Sequence, residues 1–453
     1  MKVARFLSSF KRTAVSKWIT FTLVTILTLP FSGSATLGGE MSSRASGIRP
    51  VSTVGVPLVG LIEVNSTGDG DALNPSAGCD TDAATTGDQC TLRSALQRAN
   101  ALSGDDEIRF NIPLSQPNCN SGGCYINLNS PLPALATNVR IIGPGGTLLT
   151  VRRISGGDYR IFTVTAATDV TISGLVISGG RPFGVSSGGG IANAGNATVN
   201  IVDSVVQNNF GGAVGGDGGG IANGSGGTVN IINSTVAENT ANVPVADGAS
   251  GGGGGIINSA NGTVNITNSI IYGNKVTGGL RNSVMVGGGI YNSSTGTVNI
   301  TGSFVSSNVL TVTQAIGAYG GGGGIASAAG TVNVTNSVVN DNFVSGGDPF
   351  TPAGVKGGGI FNQATGEVNV TGSVFSNNQL NGSGGAISNI SGSLRIVNST
   401  VTANKGMGGG LFGQGVVKSS IIAKNIYGAL ANVDVSGTFA SEGFNFIGIE
   451  DGS

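Results

Sequence analysis

The sequence predicts an all-β fold, a parallel β-helix in which short strands stack as successive coils behind a short N-terminal capping helix. Three observations predict it. A segment of 24 to 35 residues recurs eight times after residue 188, and apolar residues alternate with polar ones inside each copy. Glycine supplies 81 of the 453 residues, yet with only 13 prolines and no every-third-residue spacing the chain does not fit collagen. Because 39% of the residues are hydrophobic, we expect a folded rather than a disordered chain.

The first 35 residues are typical of a secretory signal peptide. Five basic residues precede an apolar run from Trp18 to Phe31, and small residues follow up to Ala35. The run is shorter than the ~20 residues that span a bilayer. We therefore expect cleavage near Ala35 and no membrane-spanning segment afterwards, with an uncleaved membrane anchor as the alternative. Residues 36–60, rich in Ser, Gly and Val, are predicted to form a linker.

Four cysteines lie within residues 61–130, which we predict to be a disulfide-braced cap with the first strands. In an exported chain an even number of cysteines favours disulfides. Three pairings are possible, and we favour Cys79 with Cys90 and Cys119 with Cys124 because each pair closes a short polar loop. A metal site is the alternative, but the chain has no histidine and the spacing is irregular, so we predict no metal.

A helix is predicted between the two disulfides. Thr91 is a suitable N-cap and Asn100 a suitable end. The apolar residues of this segment fall on one helical face, at Leu92, Ala95, Leu96 and Ala99. The alternating residues 108–112 that follow predict a strand. A helix over the first strands would cover the open end of the stack, and such ends require capping.

The repeats predict the coils of residues 131–430. Each copy opens with Gly-Gly-(Gly/Ala)-(Ile/Leu), continues in most copies into Thr-Val-Asn-Ile, and closes with Ser-x-(apolar)-x-x-Asn. In the copy with Val229, Asn230 and Ile231, the two apolar side chains point to one side of a strand and Asn230 points to the other. A single coil cannot bury that apolar side, but parallel coils stacked ~4.8 Å apart can. With shorter copies before residue 188 we expect about ten or eleven coils, a rod of roughly 50 Å.

The asparagines that close the copies are predicted to form a structural ladder. Asparagine tolerates the backbone of tight corners, and its side chain can hydrogen-bond to corner backbone in the next coil. The ladder residues are Asn209, Asn239, Asn274, Asn308, Asn342, Asn378, Asn404 and Asn425. A second column follows the opening Ile by two residues, at Asn193, Asn223, Asn258, Asn292, Asn362 and Asn389, with Ser327 and Gly413 as breaks. The longer copies predict an extra loop of about ten residues on one flank, for example at 241–254 and 277–287.

Two resemblances to known families now become visible. The segment Cys90–Leu96, followed by Ala99 and Asn100, resembles the CSLREA motif of exported bacterial proteins, with Ser94 in place of the glutamate. In that family the segment leads into a right-handed parallel β-helix, which the resemblance implies here. The repeats are similar to those of polymorphic outer-membrane proteins, which carry G-G-A-I and F-x-x-N; residues 384–387 and 375–378 match both. Residues 431–453 are predicted to be a C-terminal tail, naturally short or a truncated reading frame.

Composition excludes several chemistries. Without histidine, Ser-His-Asp and Cys-His catalysis are impossible. A net charge of −1 with sparse Lys and Arg argues against nucleic acid. The acids between residues 174 and 430 form no close pair in sequence, and Asp203 and Glu238 fall in different columns of the repeat. Arg395, the candidate base of a lyase, has no acid in its own coil. The segment Gly-Gly-Asp217-Gly-Gly-Gly is similar to a calcium-binding repeat but occurs once, so we predict no calcium site and no cofactor.

The sequence therefore favours a secreted or cell-surface protein that is monomeric, is not an enzyme, and presents loops for adhesion or carbohydrate binding. The expected partners are polysaccharide or the surface of a host or neighbouring cell. Exposed tyrosines such as Tyr272 and Tyr291 are candidates for stacking on sugar rings. The alternative is a polysaccharide lyase or hydrolase of the pectate-lyase-like β-helix type.

Overall fold

The structure of the protein is a computed structural model. It describes residues 58–449, except 146, 155, 167, 185–186, 213–216, 245, 313–315, 347–353 and 427–433. All of these residues belong to one compact unit. The predicted signal peptide (1–35) and most of the predicted linker (36–60) lie outside the described residues, and the first strand begins at Leu58.

One helix and four strands form the N-terminal part of the described chain. They are β1 (Leu58–Val64), α1 (Leu92–Ala101), β2 (Asp105–Phe110), β3 (Cys119–Asn120) and β4 (Gly123–Leu128). Short strands make up the described remainder, and each coil contributes two to five of them. Up to the second full repeat they are β5 (Val139–Ile142), β6 (Leu149–Arg153), β7 (Phe162–Val164), β8 (Asp169–Ser173), β9 (Val176–Ser178), β10 (Ile191–Asn193), β11 (Thr198–Val202), β12 (Val205–Gln207), β13 (Ile221–Asn223), β14 (Thr228–Ile232), β15 (Thr235–Ala237), β16 (Thr240–Val243) and β17 (Ser250–Gly252).

The following repeats continue the same pattern to the end of the described chain. Their strands are β18 (Ile256–Asn258), β19 (Thr263–Thr267), β20 (Ile270–Tyr272), β21 (Lys275–Gly278), β22 (Val284–Val286), β23 (Ile290–Asn292), β24 (Thr297–Thr301), β25 (Phe304–Ser306), β26 (Val309–Val312), β27 (Tyr319–Gly321), β28 (Ile325–Ser327), β29 (Thr331–Thr335), β30 (Val338–Asn340), β31 (Phe343–Gly346), β32 (Val355–Lys356), β33 (Ile360–Asn362), β34 (Glu367–Thr371), β35 (Val374–Ser376), β36 (Gln379–Ser383), β37 (Ile387–Asn389), β38 (Ser393–Val397), β39 (Thr400–Thr402), β40 (Lys405–Met407), β41 (Leu411–Lys418), β42 (Ile421–Ala423), β43 (Val435–Ser441) and β44 (Phe446–Ile447).

These strands form three sheets of a right-handed parallel β-helix. Two sheets run along the described chain, and the third accompanies only residues 240–407. Sheet 1 has 21 strands and takes two strands from a typical coil, such as β13 and β14. Sheet 2 has 13 strands and takes the next strand, such as β15. Sheet 3 has 10 strands and takes the excursions of the longer copies, such as β16 and β17. The predicted fold class is confirmed.

Equivalent residues of successive repeats stack on one another without a shift in register. Thr228, Asn230 and Ile232 of β14 pair with Thr263, Asn265 and Thr267 of β19, for example. Inward side chains such as Val229 and Ile231 are fully buried, and they belong to one apolar core that extends from the cap to the last coils. The register is fixed because a slip by one residue would turn every apolar side chain outward.

The capping helix α1 lies against the first strands, as predicted. Thr91 is its N-cap: the Ser94 backbone N–H donates to Thr91 Oγ1 (3.0 Å), and the Thr91 backbone N–H donates to Ser94 Oγ (2.9 Å). A serine thus completes the capping box at the position where the CSLREA motif has glutamate. The predicted apolar face is buried. The predicted end at Asn100 is close to the observed last residue, Ala101.

The described residues of the extra segments in the longer copies form paired strands joined by turns. Each excursion leaves the main coil as a strand and returns as another, and together these strands make sheet 3. Between them lies a second apolar cluster, separate from the main core, formed by Ala241, Val243, Val276, Met285, Leu310, Val312, Ala318, Val344, Val355 and Leu380. The predicted extra segment on one flank is therefore present, but strands form much of it, because its apolar residues recur at equivalent positions of successive excursions and bury one another by stacking.

The stack also continues beyond residue 430. Strand β43 pairs in parallel with β41, and β44 pairs with β42. The described part of the predicted tail therefore adds rungs to sheets 1 and 2.

Candidate functional site

The four cysteines of the cap form two disulfides. Cys79 is bonded to Cys90, with Cα atoms 5.1 Å apart, and Cys119 is bonded to Cys124, with Cα atoms 4.1 Å apart. The first closes the loop that leads into α1, and the second closes the β3–β4 hairpin. Arg93 of α1 adds a buried ion pair with Asp69 (2.8 Å) and donates to the carbonyls of Ser130 and Pro131. The cap residues thus serve to hold α1 on the stack.

The closing asparagines form a continuous buried ladder at the corner after sheet 2. Asn308 shows the pattern: its Nδ2 donates to Asn342 Oδ1 (2.9 Å) and to the Ile271 carbonyl (3.0 Å). Its Oδ1 accepts from both the backbone N–H and Nδ2 of Asn274, each at 3.0 Å. The same contacts join all eight ladder residues, and every one is fully buried.

The ladder ends on an acid that sequence reasoning missed. Both Asn425 donors point to Asp434 Oδ1, at 2.7 and 2.8 Å, while Asp434 Oδ2 accepts from the Ile449 backbone (2.9 Å). A carboxylate suits the last rung because it needs to accept only. The opening glycines leave room for the ladder: a Cβ at Gly289 would lie 2.9 Å from Asn308 Cγ. This close approach accounts for one glycine in nearly every copy.

Two further ladders line the other corners. The second asparagine column runs as predicted through Asn193, Asn223, Asn258 and Asn292, and again from Asn362 to Asn389. The serine of each copy forms the third ladder, in which a backbone N–H donates to the next serine hydroxyl, as Ser303 does to Ser337 Oγ (3.1 Å). These ladders supply hydrogen bonds to buried polar groups at the corners. Two side-chain oxygens of the asparagine column lack a hydrogen-bond partner, Asn193 Oδ1 at its start and Asn362 Oδ1 where it resumes. We therefore assign all three ladders a structural role.

A largely buried contact lies where the outer face of sheet 1 meets the returning strands of sheet 3. We call this line the seam. Its wall consists of residues in successive rungs of sheet 3: Gly252, Val286, Gly321 and Lys356. Its floor consists of Ile257, Tyr291, Ala326 and Phe361, the middle residues of sheet 1 strands. The Tyr291 ring packs over Gly252 and the Phe361 ring over Gly321, where a Cβ would come within 3 Å of each ring.

One end of the seam carries an acid with an altered pKa. The Gly252 backbone N–H donates to Asp217 Oδ1 (2.8 Å). Burial raises the pKa of Asp217 to about 6, partly opposed by this hydrogen bond. Burial and the nearby Asp217 and Tyr319 raise the pKa of Tyr291 to about 12. At the other end, burial lowers the pKa of Lys356.

The tyrosines predicted to be exposed differ from one another. Tyr272 is exposed on sheet 2, at 45% of its surface, as predicted. Tyr291 is half-buried, because the excursion strand covers its ring. The exposed ring belongs instead to Tyr319, at 38%, which lies two residues before the wall residue Gly321 on β27 and which we count with the seam. Sequence reasoning missed Tyr319 and placed no function on Asp217, although both lie at fixed offsets before the opening glycines of their repeats.

The other candidate catalytic residues lie elsewhere. Asp203 precedes β12 and Glu238 follows β15, so the two acids lie at different corners of neighbouring coils. Arg395 forms a bidentate ion pair with Glu442, in which Nη1 and Nη2 donate to Oε1 and Oε2 at 2.8 and 2.7 Å. The hydrogen bond from Arg395 and the charge of Glu442 raise the pKa of Arg395, which makes it harder to deprotonate. Among the described residues there is no group of three or more Cys, Asp or Glu side chains placed to hold a metal ion.

The cap also contains two cavities. One, of about 350 Å³, lies beside the β3–β4 hairpin and is lined by apolar residues that include Phe110, Leu114 and Leu148. The other, of about 480 Å³, lies beside the Cys79–Cys90 loop and is lined by Glu63, Asp88 and Arg98 among others. No residue of the seam lines either cavity.

Comparison of the chain with protein-family models, with curated proteins and with solved structures found no match. The fold therefore rests on the strand pairing itself. The resemblances to CSLREA-type and polymorphic outer-membrane proteins stay predictions. Within the described residues no helix is long and apolar enough to cross a membrane.

Proposed function

We propose that this chain is an exported protein of the CSLREA-like type, secreted or attached to the cell surface, that binds polysaccharide without cleaving it. The two disulfides support an extracellular location, because such bonds persist in oxidising compartments. The expected ligand is a free polysaccharide or the glycan of a neighbouring cell, and the expected binding site is the seam.

The observation that carries the proposal is the exposed Tyr319 ring in the seam, near Tyr291 and Asp217. Aromatic rings provide the flat apolar surfaces on which the faces of sugar rings pack, while a carboxylate can accept hydrogen bonds from sugar hydroxyls. With a pKa of about 6, Asp217 is mostly ionised at neutral pH and can act as this acceptor. Lys356 lies four rungs away, about 19 Å at ~4.8 Å per rung. The floor and wall of the seam are largely buried, so a short oligosaccharide would lie along its outer edge, where the rungs from Asp217 to Lys356 give sufficient length.

A glycan array with the full chain tests the proposal, and the two exposed tyrosines supply matched variants. Tyr319→Ala removes the ring of the seam, and Tyr272→Ala removes a similarly exposed ring on sheet 2. We expect retention on at least one glycan class. It should be about fivefold weaker for Tyr319→Ala, since an aromatic contact contributes ~1 kcal/mol, and unchanged for Tyr272→Ala. No retention, or equal loss in both variants, would contradict the proposal.

A polysaccharide lyase or hydrolase is the second candidate, and Asp217 is the observation that favours it. A carboxyl group with a pKa of about 6 can hold a proton near neutral pH and deliver it to a leaving group. Glycosidic hydrolysis generally uses two carboxyl groups on opposite sides of the bond. Shortening of a polysaccharide by the full chain, abolished in Asp217→Asn, would replace the binding proposal with this one.

A further inference from the structure

The uncovered face of sheet 1 carries a regular array of small polar side chains. We call it the polar face: the outward residues of β11, β14, β19, β24, β29 and β34. The second and fourth residues of each of these strands, a Val or an Ile, are buried, so the first, third and fifth residues point outward. The three outward ranks are Thr198, Thr228, Thr263, Thr297, Thr331 and Glu367; Asn200, Asn230, Asn265, Asn299, Asn333 and Asn369; and Val202, Ile232, Thr267, Thr301, Thr335 and Thr371. None of them is buried.

The array repeats in two directions. Each outward residue pairs directly with its equivalent in the next rung, without a shift in register, across all six strands. Rungs are ~4.8 Å apart, and alternate residues along a strand are ~6.6 Å apart. The polar face is therefore a small two-dimensional lattice of hydroxyl, amide and methyl groups.

The side chains of this lattice are held in place before any ligand arrives. In the middle rank each asparagine Nδ2 donates to the Oδ1 of the preceding rung, at 2.8 to 3.0 Å from Asn230 through Asn369. The flanking threonines are β-branched, which restricts their side-chain rotation. Binding to this surface consequently costs little side-chain entropy.

The composition of the polar face excludes several classes of binding partner. Within its six rungs Glu367 is the single charged residue, and the rungs that continue sheet 1 on either side carry Asp169 and Arg395. The array between these charges is neutral, so a charged polymer or membrane finds no opposite charge on it. It has no aromatic ring on which a sugar could stack. Its area, about 24 by 13 Å or roughly 300 Å², is well below the ~800 Å² per partner of a stable protein interface. The fitting partner is flat, uncharged and itself periodic.

We propose that the polar face binds ice. Hydroxyl and amide groups can hydrogen-bond to water at regular intervals, while the threonine methyls between them order the water they contact. An ice surface is uncharged and periodic on the scale of a few ångströms in both directions, which matches this array. The proposal concerns a different surface from the seam, so it stands or falls independently of polysaccharide binding.

The test measures how the full chain partitions into ice grown slowly from a dilute solution, together with its inhibition of ice recrystallisation. Thr267→Lys places a long charged side chain in a flanking rank of the polar face, at the third of its six rungs. Thr235→Lys is the matched control, an equally half-buried outward threonine on sheet 2. We expect the wild-type chain and Thr235→Lys to enter ice and Thr267→Lys to be at least tenfold depleted from it. Circular dichroism checks that both variants retain their strands.

Three outcomes would overturn the proposal. The wild-type chain could be excluded from ice like an inert protein of the same size, or the two variants could enter ice equally. Alternatively, the chain could stay out of ice but adsorb to crystalline cellulose or chitin, with that adsorption lost in Thr267→Lys, which would assign the polar face to a crystalline polysaccharide. Tyr319→Ala is expected to leave ice binding unchanged, which separates this result from the test of the seam.

Discussion

Removing one rung of the buried asparagine ladder should destabilise the stack far more than removing an asparagine from its surface. In Asn308→Ala, the backbone N–H and Nδ2 of Asn274 lose the oxygen to which both donate at 3.0 Å. Asn274 is fully buried, so water does not replace that oxygen. A buried donor without a partner costs about 1–3 kcal/mol, which gives about 2–6 kcal/mol for the two.

Asn299→Ala is the control, because it removes the same side chain from the same coil. Asn299 lies on the polar face, half-buried, and exchanges 2.8 Å hydrogen bonds with Asn265 and Asn333. Water can replace these contacts, so we expect a loss below about 1 kcal/mol.

Hydrogen exchange of the peptide that contains Asn274 is the most direct assay, since the amide of Asn274 itself loses its acceptor. A loss of about 3 kcal/mol corresponds to exchange roughly 100-fold faster. The same peptide should exchange at a nearly unchanged rate in Asn299→Ala. If this peptide exchanges as slowly in Asn308→Ala as in Asn299→Ala, the ladder does not stabilise the coils in the way that its hydrogen bonds indicate.

Three other predictions follow from individual contacts. The pKa of Asp217 is about 6 in the folded chain against 3.8 for an unperturbed aspartate, so between these pH values the folded chain binds more protons than the unfolded chain. The free energy of unfolding therefore falls by up to about 3 kcal/mol as pH rises through this window. Asp217→Asn should match the wild-type unfolding midpoint at pH ~4 and exceed it at pH ~7.5, and an equal shift at both pH values would contradict this. Gly289→Ala should lower the midpoint by the equivalent of about 1–3 kcal/mol, because its Cβ would lie 2.7 Å from the Gly324 carbonyl oxygen; an unchanged midpoint would show that the corner can move. Replacing Cys79 and Cys90 by serine opens a loop of sequence separation 11 and should cost about 3 kcal/mol, seen as faster exchange in α1, whereas the same replacement at Cys119 and Cys124 should leave α1 protected.

The fold could be predicted because the repeat carries two signals, one for each strand and one for its stacking partner. Val229 and Ile231 lie two residues apart, which defines a strand with one buried side, and the same pair recurs in copy after copy, which defines the stacking partner. Helix α1 could be predicted for a similar local reason, from one apolar face and one N-cap. These features depend on neighbours in sequence or on identical residues one copy away.

The second apolar cluster could have been found from the same alignment of the copies. Ala241, Val276, Leu310 and Val344 each follow a ladder asparagine by two residues, so their column was visible in the sequence. Copy length alone predicts loops there, because the longer copies exceed the shortest copy by about ten residues. Stacking at ~4.8 Å orders many of these residues as strands, since each excursion pairs with its equivalent in the next coil.

The seam could not be predicted, because its residues come from different elements. Asp217 belongs to one repeat and Tyr291 and Tyr319 to different strands of another, and they come together only where sheet 3 folds back on sheet 1. Asp434 was missed for the same reason, since it is the single acid that takes the place of an asparagine at the end of a ladder. The amino-acid composition indicates neither the seam nor the position of Asp434.

The central functional claim is that the chain binds polysaccharide without cleaving it. The most direct test incubates the full chain with uronate polymers, with and without calcium, and measures retention of the polymer and its chain length in the same sample. The account predicts that at least one polymer is retained through the seam at unchanged length. Robust shortening of the polymer by the wild-type chain would contradict it.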